Sequence, residues 1–281
     1  MGVALVGKGD YEAAEKLHRE ALEMARRLPG LGDRGLELHV RRLANVLEDR
    51  GKSGEAEPLY QESLALCRKV FGAVHPQVAF ALDNLALHFR GAGDRARAEP
   101  LFRESLAMLQ KIYGPEHPEV AQTMGNLADF LVYDRESSMA ASPAELAEAE
   151  ALHRKALEMN RRIRPDHPYL ADNLTALAYL RHLAHDEPEA ERLVREALRI
   201  YRLKLSEEHS KIVDANRRLA LILVARGRPR EAEPLLLECY RVLAAQGESP
   251  KDKEAVRKDL VLLYGVLGKP DLAARYRATG G

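Results

Sequence analysis

A self-similarity with a period near 42 residues constrains this chain more than any other feature. EAEPLYQESL at 55–64 returns as RAEPLFRESL at 97–106, an offset of 42. In the same register a small residue precedes an apolar one by three places in six copies: Ala14/Leu17, Ala56/Leu59, Ala98/Leu101, Ala149/Leu152, Ala190/Leu193 and Ala232/Leu235. A weaker seventh copy begins at Ala273, and the successive spacings are 42, 42, 51, 41, 42 and 41. Only the middle spacing departs from the pattern.

Each copy holds two helical patterns. The first carries a Leu-small pair, as in Leu43-Ala44, Leu85-Ala86, Leu127-Ala128, Leu177-Ala178 and Leu219-Ala220. A turn that usually contains glycine follows, and then comes Ala-x-x-Leu-x-x-x-[Ala/Ser]-Leu. The apolar positions recur at 3.6 residues and do not alternate, which removes a propeller of strands from the architectures with this period. Ala, Leu, Glu and Arg dominate the composition and favour helix. Neither helix hides its apolar stripe alone, so neighbouring pairs must stack. The recurrent small residue lets helix backbones come close where a larger side chain would overpack.

Composition excludes several functions. Acidic and basic residues balance at 43 each, so no net field draws the chain toward nucleic acid or anionic lipid. Aromatic stacking surfaces for single strands are sparse. Cys67 and Cys239 are the only cysteines, too few for a disulfide framework or a thiolate metal motif. Cys239 occupies the Ala/Ser position and Cys67 another packing position, so both are expected in the core. Apolar runs such as LALILVA at 219–225 are too short to span a bilayer. The start MGVALVGKGDYEAAEK lacks the features of a secretory signal, and a soluble cytoplasmic protein is expected. There is no glycine-rich phosphate loop, HExxH or GxSxG. The chain is expected to be no enzyme, with no cofactor, metal or small-molecule substrate.

The histidines are the remaining chemical candidates. His75, His117 and His167 each precede a proline, and His209 precedes Ser210. Proline suits the first turn of a helix, where its missing N–H has no partner in any case. Equivalent positions in adjacent copies lie about one helix-packing distance apart, ~8–10 Å, too far to share one ion. These histidines therefore mark helix starts. His182, His185 and Asp186 fall at a helix end with no third ligand apparent, and are expected in a solvated turn.

HPQVAFALDNLALHFRGAGDRARAEPLFRESL at 75–106 is similar to the 42-residue tetratricopeptide repeat of kinesin light chains. The resemblance covers nearly the whole chain. It implies an all-α, right-handed superhelical α-solenoid of stacked antiparallel helix pairs. Residues 1–281 are expected to form a single array of about six helix pairs plus a truncated first unit, whose second helix covers 11–28. A loop insertion at 134–142 lies in the fourth unit. It ends at Ser142, where Ser-Pro-Ala-Glu makes a capping box.

The resemblance further implies a protein-binding scaffold that takes a protein or peptide segment on its first helices, with adaptor work between a tubulin-like filament and cargo. Offsets 5, 8, 9 and 12 from the His position point away from the Leu-small pair. Among those positions the candidate groove residues are Arg41, Arg42, Asn45, Asp83, Asn84, Gln122, Asn126, Asp129, Asp172, Tyr179, Arg217 and Arg218. Asn84 and Asn126 match the asparagine that lines the groove in that family. Arg41-Arg42 and Arg217-Arg218 bracket a more acidic middle, which suggests a ligand with acidic ends and a basic or polar centre, unless these charges simply pair across neighbouring helices. The rival reading is a membrane-associated or self-associating adaptor that uses apolar surface on residues 11–28.

Overall fold

The computed structural model describes residues 11–28, 30, 32–132, 141–246 and 250–278. Among these there are thirteen helices and no strands. The chain divides into two compact units, Met1–Leu152 and His153–Gly281. The first contains α1 (Tyr11–Arg27), α2 (Gly32–Asp49), α3 (Ser53–Phe71), α4 (Pro76–Gly91), α5 (Arg95–Tyr113) and α6 (Pro118–Val132). The division falls inside α7 (Pro143–Ile163). The second unit continues with α8 (Pro168–Leu183), α9 (Glu187–Arg202), α10 (Ser210–Ala225), α11 (Pro229–Gln246), α12 (Pro250–Val266) and α13 (Pro270–Ala278). In each unit helices pack mainly on their neighbours in sequence, as stacked antiparallel pairs do.

The repeat register reappears as burial. Ala14, Ala56, Ala98, Ala149, Ala190 and Ala232 have no exposed surface at all, and Ala273 is 2% exposed. The Leu-small pairs are buried from Leu43-Ala44 through Leu219-Ala220. Ser63, Ser105 and Cys239 occupy one register on the second helices and are buried beside the first helix of the same pair. Ser105 Oγ donates to Ala79 O at 2.9 Å, and Cys239 Sγ lies 3.3 Å from Val213 O. Any larger residue there would separate the helices.

Helix starts follow the expected punctuation. The Nδ1 atoms of His75, His117, His167 and His209 accept the N–H of Gln77, Glu119, Tyr169 and Lys211, each at 3.2 Å. An imidazole here does what Ser or Asp does at other helix starts: it satisfies a backbone donor that has no carbonyl in the helix. Phe71 and Tyr113 at the ends of α3 and α5 stack on His75 and His117, with ring centroids 4.4 and 4.0 Å apart. Ser142 and Glu145 form the reciprocal capping box: the Glu145 N–H donates to Ser142 Oγ at 3.2 Å, and the Ser142 N–H to Glu145 Oε2 at 2.7 Å. Of the expected insertion at 134–142, residues 134–140 lie outside the described residues, as do residues 1–10 of the truncated first unit.

The turns between paired helices need a left-handed residue, which Gly51, Gly93, Gly227 and Gly268 supply with φ between 67° and 75°. In the α8–α9 turn His185 takes that position with φ 59°.

Ion pairs tie successive second helices at a fixed separation. Arg19 meets Glu55 at 2.5 Å, Arg26 meets Glu62 at 2.7 Å and Arg68 meets Glu104 at 3.1 Å, each pair 36 residues apart. Arg103–Glu148 repeats the pattern across the longer spacing, and Arg161–Glu196 repeats it in the second unit. A second series is buried. Glu15 is 5% exposed and is held by Lys52, Arg19 and Arg50. Burial opposes its charge, yet these cations keep its carboxyl at about 2. In the second unit Glu191, in the same register, is gripped by Arg195, Arg226 and Arg228.

Candidate functional site

The first helices of the first unit create a cleft of about 300 Å³ lined by α2, α4 and α6. Its walls are Glu37 and Arg41 from α2, Gln77, Phe80, Ala81, Asp83, Asn84 and Leu87 from α4, and Gln122 and Asn126 from α6. A wider depression of about 700 Å³ adjoins it, sharing Glu37, Arg41 and Gln77 and extending to Arg34, Leu38, Phe71 and His75. Five of the expected groove residues thus converge: Arg41, Asp83, Asn84, Gln122 and Asn126.

Asp83 dominates the cleft chemically. It is 7% exposed, and its Oδ2 accepts from Thr123 Oγ1 at 3.1 Å and from Asn126 Nδ2 at 3.4 Å. Its Oδ1 has no hydrogen-bond partner; the hydroxyl of nearby Ser105 donates to Ala79 O at 2.9 Å, and its proximity favours the carboxylate's charge. Burial pushes the Asp83 carboxyl up to about 6, against the hydrogen bonds that favour its charge. Glu37 is the second buried acid, 7% exposed, accepting from Ser63 Oγ at 2.9 Å and from Arg41 Nε at 3.1 Å. The side-chain amides of Asn84 and Gln122 are half-buried and make no hydrogen bond to a described residue.

The other expected residues are placed differently. Arg42 does not line the cleft; its charge reaches His18 of α1, whose pKa is held down by burial first and by Arg42 next. Asn45 accepts the Tyr60 hydroxyl at 3.0 Å. Asp129 is half-buried on α6, away from the cleft lining. In the second unit Asp172 receives Lys211 Nζ on both oxygens, at 2.8 and 2.7 Å, and the Tyr201 hydroxyl at 2.6 Å. Arg217 pairs with Asp259 at 2.5 Å, and Arg218 pairs with Asp214 at 2.8 Å while covering the Tyr179 ring. The arginines expected to grip a ligand carboxylate are therefore engaged with the protein's own acids, apart from Arg42, which faces α1. The sequence rule had no way to see their partners on adjacent helices. It also missed Glu37, Gln77 and Ala81. For Glu37 a signal existed: Ala79, Ala121 and Ala171 hold the equivalent position.

The reactive candidates are occupied or shielded. Burial pushes the Cys67 thiol up to about 11 and the Cys239 thiol up to about 12, which removes nucleophilic thiolate near neutrality. His182 Nδ1 contacts Glu187 at 2.7 Å, and Asp186 caps α9. Tyr11, Met24 and Leu28 on residues 11–28 are exposed. Among the described residues no helix is long and apolar enough to cross a membrane.

These observations define a protein built of stacked helix-pair repeats, with a polar cleft where three first helices meet. The chain belongs to the tetratricopeptide repeat family. One model described as Tetratricopeptide repeat matches residues 36–111 and 144–203, and another of the same description matches residues 1–31. Among solved structures, BtubC (BKLC) from P. vanneervenii is similar with a TM-score of 0.66 and 20% identity, over 84% of this chain and 92% of that one. A Podospora anserina kinesin light chain-like protein with nearly identical repeats gives 0.55 and 22%, over 75% and 96% of the two chains. A Rap protein complexed with Competence and Sporulation Factor gives 0.72 and 12%, over 99% and 71%. No curated protein matches the chain in sequence. At these identities the likeness concerns the fold alone.

Proposed function

We propose that the chain is a non-enzymatic scaffold that binds an extended segment of a partner protein in the cleft formed by α2, α4 and α6. One observation carries this reading. Amide side chains from adjacent repeats, Asn84 on α4 with Gln122 and Asn126 on α6, line one cleft beside a buried acid. An amide both donates and accepts, so Asn84 and Gln122 can serve the N–H and C=O groups of an extended backbone, and Asn126, whose nitrogen is on Asp83, can accept through its oxygen. The helices that carry them are already packed, and binding therefore orders little of the receptor.

Selection of peptides from a random 12-residue library with the whole 281-residue chain tests the reading. Captured peptides should bind the Asn84→Ala/Asn126→Ala variant about tenfold more weakly, as loss of one or two hydrogen bonds implies, with helix content unchanged. Equal binding to the variant, or no captured peptide, rejects it.

The finer reading is an adaptor between a tubulin-like filament and cargo, supported by the resemblance to kinesin light chains. Co-sedimentation with polymerised tubulin separates the two levels. A chain that stays in the supernatant removes the filament and leaves the cleft.

A further inference from the structure

We propose that the cleft accepts a lysine or arginine side chain of the bound segment, with Asp83 as its acceptor. This rests on the peptide-binding reading above and specifies its ligand chemistry.

The central observation is an unbalanced buried acid. Asp83 is 93% removed from solvent, yet one carboxylate oxygen receives two donors and the other receives none. A buried acceptor without a donor is costly, and a ligand N–H relieves that cost once the carboxylate turns its free oxygen toward the cleft. The charge balance points the same way. Two acids, Glu37 and Asp83, face a single cation, Arg41, and the Arg41 Nε is already on Glu37. The remaining polar wall does not supply a compensating charge: Asn126 spends its amide nitrogen on Asp83, and Asn84 and Gln122 are neutral. Phe80 and Leu87 provide apolar wall for the methylene stem of a long basic side chain.

The repeat itself excludes a simpler architectural role. The positions equivalent to Asp83 in the other copies are Arg41, Gly125, Thr175, Arg217 and Lys258, none of them acidic. Stacking of helix pairs therefore does not require a carboxylate there. The buried acid belongs to this cleft alone, and a ligand with acidic ends would meet repulsion from it.

Peptides captured by the whole chain from the random library are the probe. They should carry Lys or Arg at one fixed place, and replacing that residue by norleucine should weaken binding about tenfold, the loss of one charge-assisted hydrogen bond. Asp83→Asn should weaken the basic peptide to a similar extent and leave the norleucine peptide unaffected, so that the two losses are not additive. Should Asp83→Asn misfold, Asp83→Thr replaces it, since Thr175 is buried at the equivalent position. Captured peptides without a fixed basic residue, or additive losses, overturn this inference and leave the cleft as a binding site. Failure to capture any peptide removes the binding reading and this inference with it.

Discussion

Replacing Asp83 by asparagine should make the protein more stable near neutral pH, and the gain should vanish in acid. The folded carboxyl sits at about 6 against an ordinary value of 3.8, so the fold favours its neutral form. The associated stability is fully present below 3.8 and is lost as pH rises through about 6. The gap corresponds to about 3 kcal/mol at pH 7.5, where the carboxylate is charged and half-satisfied. Asparagine keeps an oxygen for Thr123 and carries no charge. Its new amide N–H₂ has to find acceptors, and an unmet donor costs about 1–3 kcal/mol. That cost is the same at every pH, so the informative quantity is how the difference between variant and parent changes with pH. Glu37 and Arg41, the charged neighbours in the cleft, are common to both proteins and largely cancel. Urea titrations at half-unit intervals from pH 4 to 8 should show Asp83→Asn gaining on the parent by about 2.5 kcal/mol across the range, most of it between pH 4 and 6. A difference that is flat with pH would refute a charge-based penalty at Asp83. Combined with the weaker binding proposed for this variant, the expected outcome is a more stable protein that binds less well, the usual trade at a functional site.

Two further substitutions probe the repeat. His185→Gly should stabilise the chain by about 0.5–1 kcal/mol, because a left-handed position filled by glycine in four other turns is strained for a side chain, and denaturant melts will show the sign. Glu37→Ala should change stability by less than about 1 kcal/mol, since alanine serves at this register in three other repeats and Ser63 can turn to the backbone as Ser105 does. The reverse change, Ala79→Glu, buries a carboxylate with no arginine four residues on and should cost more than about 3 kcal/mol by the same measurement.

Much of this fold was legible because helix pairing is a local code written several times. The alanines of the 42-residue register, the histidines before proline and the Ser142 box each depend on residues a few places away, and they appear where the spacing predicts. Half of the site was not legible, and the reason is particular. A helix position fixes which way a side chain leaves the backbone, which was enough to bring Arg41, Asp83, Asn84, Gln122 and Asn126 together. It does not fix what the neighbouring helix offers. Asp172 meets Lys211, Arg217 meets Asp259 and Asn45 meets Tyr60, each a partner about one repeat away or on the paired helix. Glu37 was overlooked because it lies one place before the first of the offsets 5, 8, 9 and 12 that were taken to face the groove.

The ion pairs that recur 36 residues apart have a consequence for how such a chain can change in length. At four junctions, α1–α3, α3–α5, α5–α7 and α7–α9, the earlier second helix offers an arginine and the later one a glutamate. A whole copy can therefore be cut out or doubled, and the two new edges still meet with matched charges. Removing half a copy leaves an orphaned arginine and a bare apolar stripe. Growth and loss in this lineage of sequences are in that sense quantised, in steps of one complete helix pair.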